Sequence, residues 1–334
     1  MDNLMMLPKE RKENDVHAHE ILRILSVRLK NILGQADIRW SELQEIRLRV
    51  NEPVIIIYCN REYFIGEDAR MKRNRQGAVI VTSADVNDTL EYISNYSLYA
   101  YEDEIRQGFI TIQGGHRIGL AGKVVLENEN IKCVRHISFI NIRMSHEIKG
   151  CSRKVMPFIS LHKEAAHTLI ISPPRCGKTT LLRDIIRNLS NGSELLPGMT
   201  VGVVDERSEI GACYKGIPQN DVGIRTDILD GCPKAYGMHM LLRSMSPQVI
   251  AVDELGGSQD IEAVYSVINC GCKLIATIHG NGVEDIKNRP GIRKLIDERI
   301  FERYIVLRGD KEIGRVHAIF DQRGSILYGG DMLC

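Results

Sequence analysis

The chain contains 334 residues, of which 43% are hydrophobic and 26% are charged, and its formal net charge is +1 at pH 7. This length and composition are typical of a folded protein of about two domains and exclude a disordered chain. The near-neutral charge balance gives no argument for binding to nucleic acid or to a charged membrane surface.

The sequence gives no sign of export or of insertion into a membrane. Residues 1–16 mix acidic and basic side chains, lack the apolar core of a signal peptide, and are predicted to form a tail. No segment approaches the roughly 18 apolar residues that a membrane-spanning helix needs. The nine cysteines match no zinc-binding spacing, and Cys270 and Cys272 lack a second pair. We therefore expect reduced thiols in a cytoplasmic protein that reaches membranes through partners.

The first half of the chain mixes helical and strand periodicity. Apolar residues at helical spacing predict a helix over 20–33, and alternating residues over 45–58 predict two strands separated by a turn. Residues 82–85 form a capping-box pattern that predicts the start of a second helix, ending near residue 95.

A pair of glycines, Gly114 and Gly115, predicts the turn of a hairpin between strands over 108–113 and 116–125. A further strand over 138–144 precedes a short linker. We therefore predict an α+β N-terminal domain over residues 17–150, and its residues contain no evident catalytic constellation.

The second half, residues 151–334, alternates strands with helices, which predicts a parallel sheet. The predicted strands are 167–172, 200–205, 248–253, 273–278 and 303–307. The predicted helices are 178–189, 234–244 and 258–269. A hairpin of residues 316–320 and 326–328 is predicted to close the domain.

The stretch from Thr168 to Thr180 has the pattern of a phosphate-binding P-loop. An apolar strand ends in a loop that turns at Gly177, and the helix opens with Lys178 and Thr179. Loop N–H groups and the helix N-terminus would bind phosphate oxygens, with Lys178 on the β- and γ-phosphates and Thr179 on Mg²⁺. The alternative is a strand–turn–helix with a chance Gly-Lys-Thr.

The first position of this motif departs from the pattern, because Ser172 stands where glycine is usual. Serine is small and fits if its backbone angles are ordinary. The predicted nucleotide-binding residues are Ser172, Pro173, Pro174, Arg175, Cys176, Gly177, Lys178, Thr179 and Thr180.

Two adjacent acids, Asp253 and Glu254, follow the apolar strand that begins after Pro247. They fall at the carboxyl end of a strand, where ligands of open α/β sheets bind. Downstream of a P-loop they form a predicted Walker B pair, with Asp253 on Mg²⁺ and Glu254 as the base that activates water. The alternative is a chance acidic turn.

Two other strand ends carry polar side chains. Asp205, Glu206 and Glu209 follow one strand, where a salt bridge with Arg207 or Arg225 competes with a catalytic role for Glu206. His279 ends the strand that contains Thr277; a lone histidine is usually structural, but at this edge it could contact the γ-phosphate or the water.

The order of these four elements resembles that of the secretion ATPase superfamily: P-loop, acidic "Asp box", Walker B and "His box". Over residues 20–330 the chain resembles most closely the stage III sporulation protein AA family of that superfamily. The matching stretches are Glu45-Ile-Arg-Leu-Arg-Val-Asn-Glu-Pro53, Gln113-Gly-Gly-His-Arg-Ile-Gly-Leu-Ala-Gly122, Asn141-Ile-Arg143, Ser172-Pro-Pro-Arg-Cys-Gly-Lys-Thr-Thr180 and Phe301-Glu-Arg-Tyr-Ile-Val-Leu307.

The resemblance implies an α/β fold with a RecA-like P-loop core of strand order 5-1-4-3-2, in which the His279 strand lies between the P-loop and Walker B strands. It also implies a mother-cell ATPase of an endospore-forming bacterium that drives a secretion-like channel. Its partners would be the channel's membrane proteins.

The relatives implied by this resemblance are ring-shaped hexamers with N-domain arginines near the nucleotide. Arg117 and Arg143 fall on matching stretches and are the corresponding candidates in this chain. The alternative is that both arginines pair with acids of their own domain.

The sequence therefore predicts an Mg²⁺-dependent ATPase, a secretion-type motor that binds ATP and hydrolyses it to ADP and phosphate. Two other functions stay open. A RecA-like motor on nucleic acid is disfavoured because no basic stripe with interleaved aromatics is present and aromatic residues make up only 5%. The other open function is that of a scaffold that binds nucleotide as a switch and hydrolyses little of it.

Overall fold

The computed structural model describes residues 16–106, 108–127, 129–309 and 314–333. The tail predicted over 1–16 lies almost wholly outside the described residues. The chain divides into two compact units, with the boundary between His146 and Glu147, just before the predicted linker.

The N-terminal unit begins with two helices where one was predicted. Residues 16–22 are helical, and α1 (Val27–Gln35) follows after a break. The prediction of a single helix over 20–33 was wrong because Ser26 makes bonds that a continuous helix would not permit. Its hydroxyl caps the Leu29 N–H and donates to Asp85, which lies on another helix.

A seven-stranded antiparallel sheet forms the other layer of this unit, in the order β4-β3-β2-β1-β7-β6-β5. Its strands are β1 (Leu43–Arg49), β2 (Ile55–Tyr58), β3 (Arg61–Ile65), β4 (Met71–Lys72), β5 (Phe109–Thr111), β6 (Arg117–Glu127) and β7 (Asn130–Arg143). One face packs on the helices through a core that includes Leu29, Ile46 and Ile142.

Two predicted features of this unit are confirmed. Helix α2 (Ser83–Ile93) begins after Thr82, whose side chain accepts from Asp85 N while the Asp85 carboxylate accepts from Thr82 N. Strands β5 and β6 pair across the two glycines, both of which have positive φ. A short helix, α3 (Glu102–Arg106), precedes this hairpin.

The C-terminal unit is built on an eight-stranded sheet of order β12-β11-β13-β14-β10-β15-β16-β17. The strands are β10 (Thr168–Ser172), β11 (Val201–Asp205), β12 (Thr226–Asp230), β13 (Val249–Val252), β14 (Lys273–His279), β15 (Arg303–Arg308), β16 (Arg315–Asp321) and β17 (Ile326–Leu333). The six strands from β12 to β15 are parallel, and β16 and β17 continue the sheet antiparallel. Two two-residue strands, β8 (Ser160–Leu161) and β9 (Glu164–Ala165), pair separately.

The five predicted parallel strands lie side by side in the order β15-β10-β14-β13-β11, so β14 separates the P-loop strand β10 from β13. The sequence analysis missed β12, which pairs with β11 at the edge of the sheet.

Helices cover both faces of this sheet. They are α4 (Met156–Ile159), α5 (Lys178–Asn191), α6 (Lys234–Ser244), α7 (Ser258–Asn269), α8 (Val283–Ile286) and α9 (Pro290–Asp297). The core around α5 lies on one face, with Leu181 and Ile185, and the core around α7 lies on the other, with Val264 and Val267. This two-faced burial explains why β10, β11 and β13 are wholly buried and mostly apolar.

The eight cysteines in the described part of the chain are all free thiols. Within the same residues, no helix is both long and apolar enough to cross a bilayer.

Candidate functional site

The P-loop connects β10 to α5. Gly177 has φ +85°, a left-handed conformation that favours glycine, and α5 begins at the next residue. Ser172 is the last residue of β10 and pairs in register with His279 of β14, so the first motif position has ordinary strand backbone here. The serine that replaces the usual glycine is therefore compatible with the fold.

The loop between Ser172 and Gly177 is mostly open to solvent. Pro174 and Arg175 are exposed, whereas Cys176 is buried. The backbone carbonyl of Cys176 accepts a hydrogen bond from Gly314 N at 3.0 Å, so the end of the β15–β16 connection braces the loop.

The first helical residue of α5 contacts the first acid after β13. Lys178 Nζ lies 3.1 Å from Asp253 Oδ1, and the Lys178 side chain is only 8% exposed. The next residue makes a second contact, because Thr179 Oγ1 donates to Asp253 Oδ2 at 3.0 Å. The predicted P-loop and Walker B residues thus meet at one carboxylate.

Asp253 also accepts a hydrogen bond from the buried Thr277 hydroxyl of β14. Burial raises the pKa of Asp253, but the Lys178 ammonium and the hydrogen bonds from Thr277, Lys178 and Thr179 outweigh burial, and the net shift is downward. This carboxylate is therefore ionised at neutral pH.

The oxygen set suits a magnesium ion. Thr179 Oγ1 and Asp253 Oδ2 are 3.0 Å apart. Neighbouring ligands around an octahedral Mg²⁺ with bonds of about 2.1 Å are separated by about 3 Å. A hydroxyl and an ionised carboxylate are hard oxygen ligands of the kind Mg²⁺ prefers, so these two residues could hold it.

Glu254 is placed by an unusual backbone conformation. Its φ is +50°, which is uncommon for a residue with a side chain, and its N–H donates to Thr277 Oγ1 at 2.9 Å. Its Oε2 lies 3.0 Å from Arg207 Nη1, and its Oε1 lies 3.7 Å from His279 Nε2. Thr277 thus contacts both acids of the pair.

The His279 ring bridges the P-loop strand and Glu254. Its Nδ1 lies 3.3 Å from the Ser172 carbonyl oxygen. Because a carbonyl can only accept, Nδ1 carries the proton and Nε2 faces the Glu254 carboxylate. The histidine at this sheet edge is therefore near the candidate base.

Glu206 forms an ion pair with Lys234 at the start of α6, and that lysine side chain is 13% exposed. The sequence analysis considered Arg207 and Arg225 as partners for the acids after β11, whereas Glu206 pairs with Lys234. Arg207 contacts Glu254, and Arg225 Nη1 donates to the Ser190 carbonyl.

Asp205 organises the loop after β11. Its carboxylate accepts hydrogen bonds from the backbone N–H groups of Glu209, Ile210 and Gly211 at 2.8–2.9 Å. Burial raises the pKa of Asp205 to about 6, and the neighbouring Asp230 adds to this against the three N–H donors. Arg183 of α5 holds the same loop by donating to the Glu209 and Ile210 carbonyls.

The strand ends therefore form a compact charged edge in which each of three acids has its own cation. The pairs are Lys178–Asp253, Lys234–Glu206 and Arg207–Glu254. All but Lys178 line one small pocket, which Asp205 completes. The sequence analysis did not consider Lys234, placed Arg207 with the acids of its own strand end and gave Thr277 no role, since nothing in local spacing indicates pairing between separate strands.

The two candidate arginines of the N-terminal unit are cross-strand neighbours, Arg117 on β6 opposite Arg143 on β7. The Arg117 guanidinium lies 4.2 Å from the centre of the Phe109 ring. Arg143 Nε lies 3.6 Å from Glu45 Oε1, and its side chain is 59% exposed. The structure therefore brings these two arginines together on one face of the sheet.

Two solved structures share this fold. The structure of the pilus retraction motor PilT with bound ADP aligns with a TM-score of 0.54 and 14% identity, covering 86% of this chain and 78% of that chain. The ATPase DotB of Legionella pneumophila aligns with a TM-score of 0.52 and 15% identity, covering 92% of this chain and 78% of that chain. The fold is that of secretion ATPases with a RecA-like P-loop core.

Sequence comparison gives a nearer relative. Stage III sporulation protein AA of Bacillus subtilis (strain 168) is 39% identical over 310 residues, which cover 92% of this chain and 97% of that protein. An uncharacterised protein, ycf45 of Porphyra purpurea, is 30% identical over 130 residues, or 38% of this chain and 22% of that protein. The family model described as "Sporulation stage III, protein AA" matches residues 15–327. The chain therefore belongs to the stage III sporulation protein AA family.

Proposed function

We propose that this protein is an Mg²⁺-dependent ATPase that hydrolyses ATP to ADP and phosphate. The observation that carries the proposal is the convergence on Asp253, which accepts contacts from Lys178 at 3.1 Å and from Thr179 at 3.0 Å. A P-loop lysine, a hydroxyl and a strand-end carboxylate at one point are the parts that phosphoryl transfer needs.

The phosphate-binding role falls to the loop from Ser172 to Thr180. Its N–H groups and the N-terminus of α5 favour anionic oxygens, and Lys178 supplies a positive charge for the β- and γ-phosphates. Thr179 and Asp253 would hold Mg²⁺, which would neutralise part of the phosphate charge.

The hydrolytic role falls to Glu254, which takes the proton from the attacking water. Glu206 is the weaker candidate because its cation, Lys234, is only 13% exposed, whereas the cation of Glu254, Arg207, is 67% exposed and its charge is screened by water. His279, whose ring lies between the Ser172 carbonyl and Glu254, assists by orienting the base. Arg117 or Arg143 completes the site by stabilising charge on the γ-phosphate, from the same subunit or from a neighbouring one.

The cellular role follows from the family. A relative named for stage III of sporulation, combined with the fold of a pilus retraction motor, supports a secretion-type motor in endospore formation. We propose a homo-hexamer in the mother-cell cytoplasm that is peripheral to the membrane. There it powers the assembly of a channel, or transport through it, by contacting the channel's membrane proteins.

The test is steady-state phosphate release from ATP by the full chain, with Mg²⁺ and after chelation with EDTA. We expect turnover that EDTA abolishes, and we expect Glu254→Gln to bind ATP while turning over roughly 10²–10⁴-fold more slowly. Tight ATP binding with no turnover would point instead to a nucleotide-gated scaffold, and stimulation by DNA with steep salt dependence to a nucleic-acid motor.

A further inference from the structure

Arg207 is the one cation of the charged edge that is open to solvent. Its side chain is 67% exposed, against 8% for Lys178 and 13% for Lys234. An exposed arginine ordinarily gains little from a single ion pair, because water screens the charges and the long side chain loses rotamer freedom. Stability alone therefore gives little reason for a contact between Arg207 and Glu254.

Glu254 has three contacts at this edge, two at its carboxylate and one at its backbone N–H. Arg207 contacts Oε2 at 3.0 Å, His279 faces Oε1 at 3.7 Å, and Thr277 accepts from the backbone N–H at 2.9 Å. Of these, Arg207 makes the only side-chain contact within hydrogen-bonding distance. The orientation of the carboxylate therefore depends chiefly on the guanidinium.

The loop that carries Arg207 is itself fixed. Asp205, two residues earlier, accepts three backbone N–H groups of the following turn, and Arg183 of α5 donates to two carbonyls of the same turn. Glu206 is anchored by Lys234. The position of Arg207 is thus set by buried groups on both sides, which makes it a suitable support for another side chain.

We propose that Arg207 is a positioning residue for the hydrolysis of ATP: it orients the Glu254 carboxylate toward the attacking water and acts through Glu254 alone. This inference rests on the proposed ATPase function. It differs from an arginine that contacts the phosphates, because Arg207 would add nothing once Glu254 can no longer take a proton.

A double-mutant cycle on the full chain tests this dependence. Arg207→Ala should lower kcat roughly tenfold to a hundredfold, as expected for a misplaced catalytic group, and leave KM within about twofold. In the Glu254→Gln background the same change should alter the residual kcat by less than about twofold. Arg207→Lys, which keeps a donor and a charge, should recover part of the lost kcat in the wild-type background.

Lys215→Ala provides the matched control. Lys215 is a cation of the same β11–β12 connection, and its ammonium lies over the Tyr214 ring at 5.4 Å. This variant should leave kcat and KM unchanged.

Three results would overturn the proposal. An equal loss of kcat in both backgrounds would mean that Arg207 acts on the phosphates directly, and a selective rise in KM would mean that it binds nucleotide. An unchanged kcat in Arg207→Ala would show that Arg207 has no role in hydrolysis. Because wild-type turnover is measured in the same series, a protein without ATPase activity would instead contradict the proposed function.

Discussion

Lys178 Nζ lies 3.1 Å from Asp253 Oδ1, although the two residues stand 75 positions apart in the chain and belong to a helix start and a strand end. The pairing balances a lysine and an aspartate that are both largely buried, at 8% and 17% side-chain exposure. It also holds the Lys178 side chain next to the place where phosphate oxygens would bind. One contact therefore serves both the fold of the edge and the proposed chemistry.

Lys178→Ala should abolish ATP binding. The variant loses a charge-assisted contact to phosphate, which is worth on the order of a few kcal/mol. It also leaves the Asp253 carboxylate without its nearest cation, so we expect a measurable loss of thermal stability. Equilibrium titration with a fluorescent ATP analogue measures the first effect and thermal unfolding the second. Unchanged affinity in a folded variant would contradict the P-loop assignment.

The choice of base can be decided by comparing Glu254→Gln with Glu206→Gln. Glutamine keeps the shape of the side chain and removes its ability to accept a proton, so Glu254→Gln should lower turnover by roughly 10²–10⁴-fold. Glu206→Gln should cost less, because the Glu206 carboxylate pairs with a lysine that is only 13% exposed, whereas Glu254 pairs with a solvent-exposed arginine. Phosphate release and ATP binding should be measured for both. If Glu206→Gln lowers turnover more than Glu254→Gln does, the base is Glu206, at the end of β11.

Local sequence patterns were sufficient to predict the regular elements of the core. Helices α6 and α7 have the predicted bounds because each is an uninterrupted periodic segment that a neighbouring sheet buries. Strand β12 was missed because Thr226–Asp230 has only two apolar residues and no residue of it is fully buried, unlike the mostly apolar and buried inner strands. Its place depends on pairing with β11, which no local pattern encodes.

The same distinction separates the predicted and the missed parts of the site. Gly177, Lys178 and Asp253 follow spacing rules within one element and were predicted from the sequence. The break before α1 and the cation partners Arg207 and Lys234 depend on contacts between distant segments. Ser26 illustrates this, since its partner Asp85 lies 59 residues away.

The N-terminal unit should lose stability in acid through Glu20. Its carboxylate accepts from His116 Nε2 at 3.0 Å, and the His116 ring is fully buried. Ser145 N donates to Nδ1 of the same ring at 3.1 Å, so Nε2 carries the proton. That tautomer leaves Nε2 without a lone pair for a metal ion, although His17, Glu20 and His116 are clustered.

Burial raises the pKa of Glu20, but hydrogen bonds from His116 and His17 outweigh it and lower the pKa from 4.5 to about 2. The pKa of Glu20 is lower in the folded state than in the unfolded state. Its contribution to the stability of the folded state is therefore complete above pH 4.5 and is lost as the pH falls toward 2. Discounted for the partial exposure of the carboxylate, the shift corresponds to about 1–2 kcal/mol. Glu20→Gln should therefore be less stable at pH 7, with a smaller difference at pH 3.5. Glu52→Gln, which changes an exposed glutamate, is the control. A stability difference between Glu20→Gln and the wild type that does not change with pH would contradict the argument.

The last prediction concerns assembly. We expect a homo-oligomer, most simply a hexamer, that nucleotide promotes and in which Arg117 or Arg143 completes an ATP site. Both arginines lie on one face of the N-terminal sheet: Arg117 packs on Phe109, and Arg143, whose side chain is 59% exposed, lies 3.6 Å from Glu45. Replacing the arginine that reaches the γ-phosphate with alanine should lower turnover by about 10³-fold and keep the fold. Arg61→Ala, on β3 of the same sheet, is the matched control.

Mixing subunits distinguishes an arginine that acts within its own chain from one that acts on a neighbour. An inactive arginine variant retains Glu254, and a Glu254→Gln variant retains the arginine. If the arginine acts across an interface, some sites in a mixed ring receive both groups and activity returns; if it acts within one chain, no site does and the mixture stays inactive. Light scattering with and without ATP measures the assembly itself. A strictly monomeric protein with full turnover at nanomolar concentration would exclude the oligomer, and with it any role for these arginines across an interface.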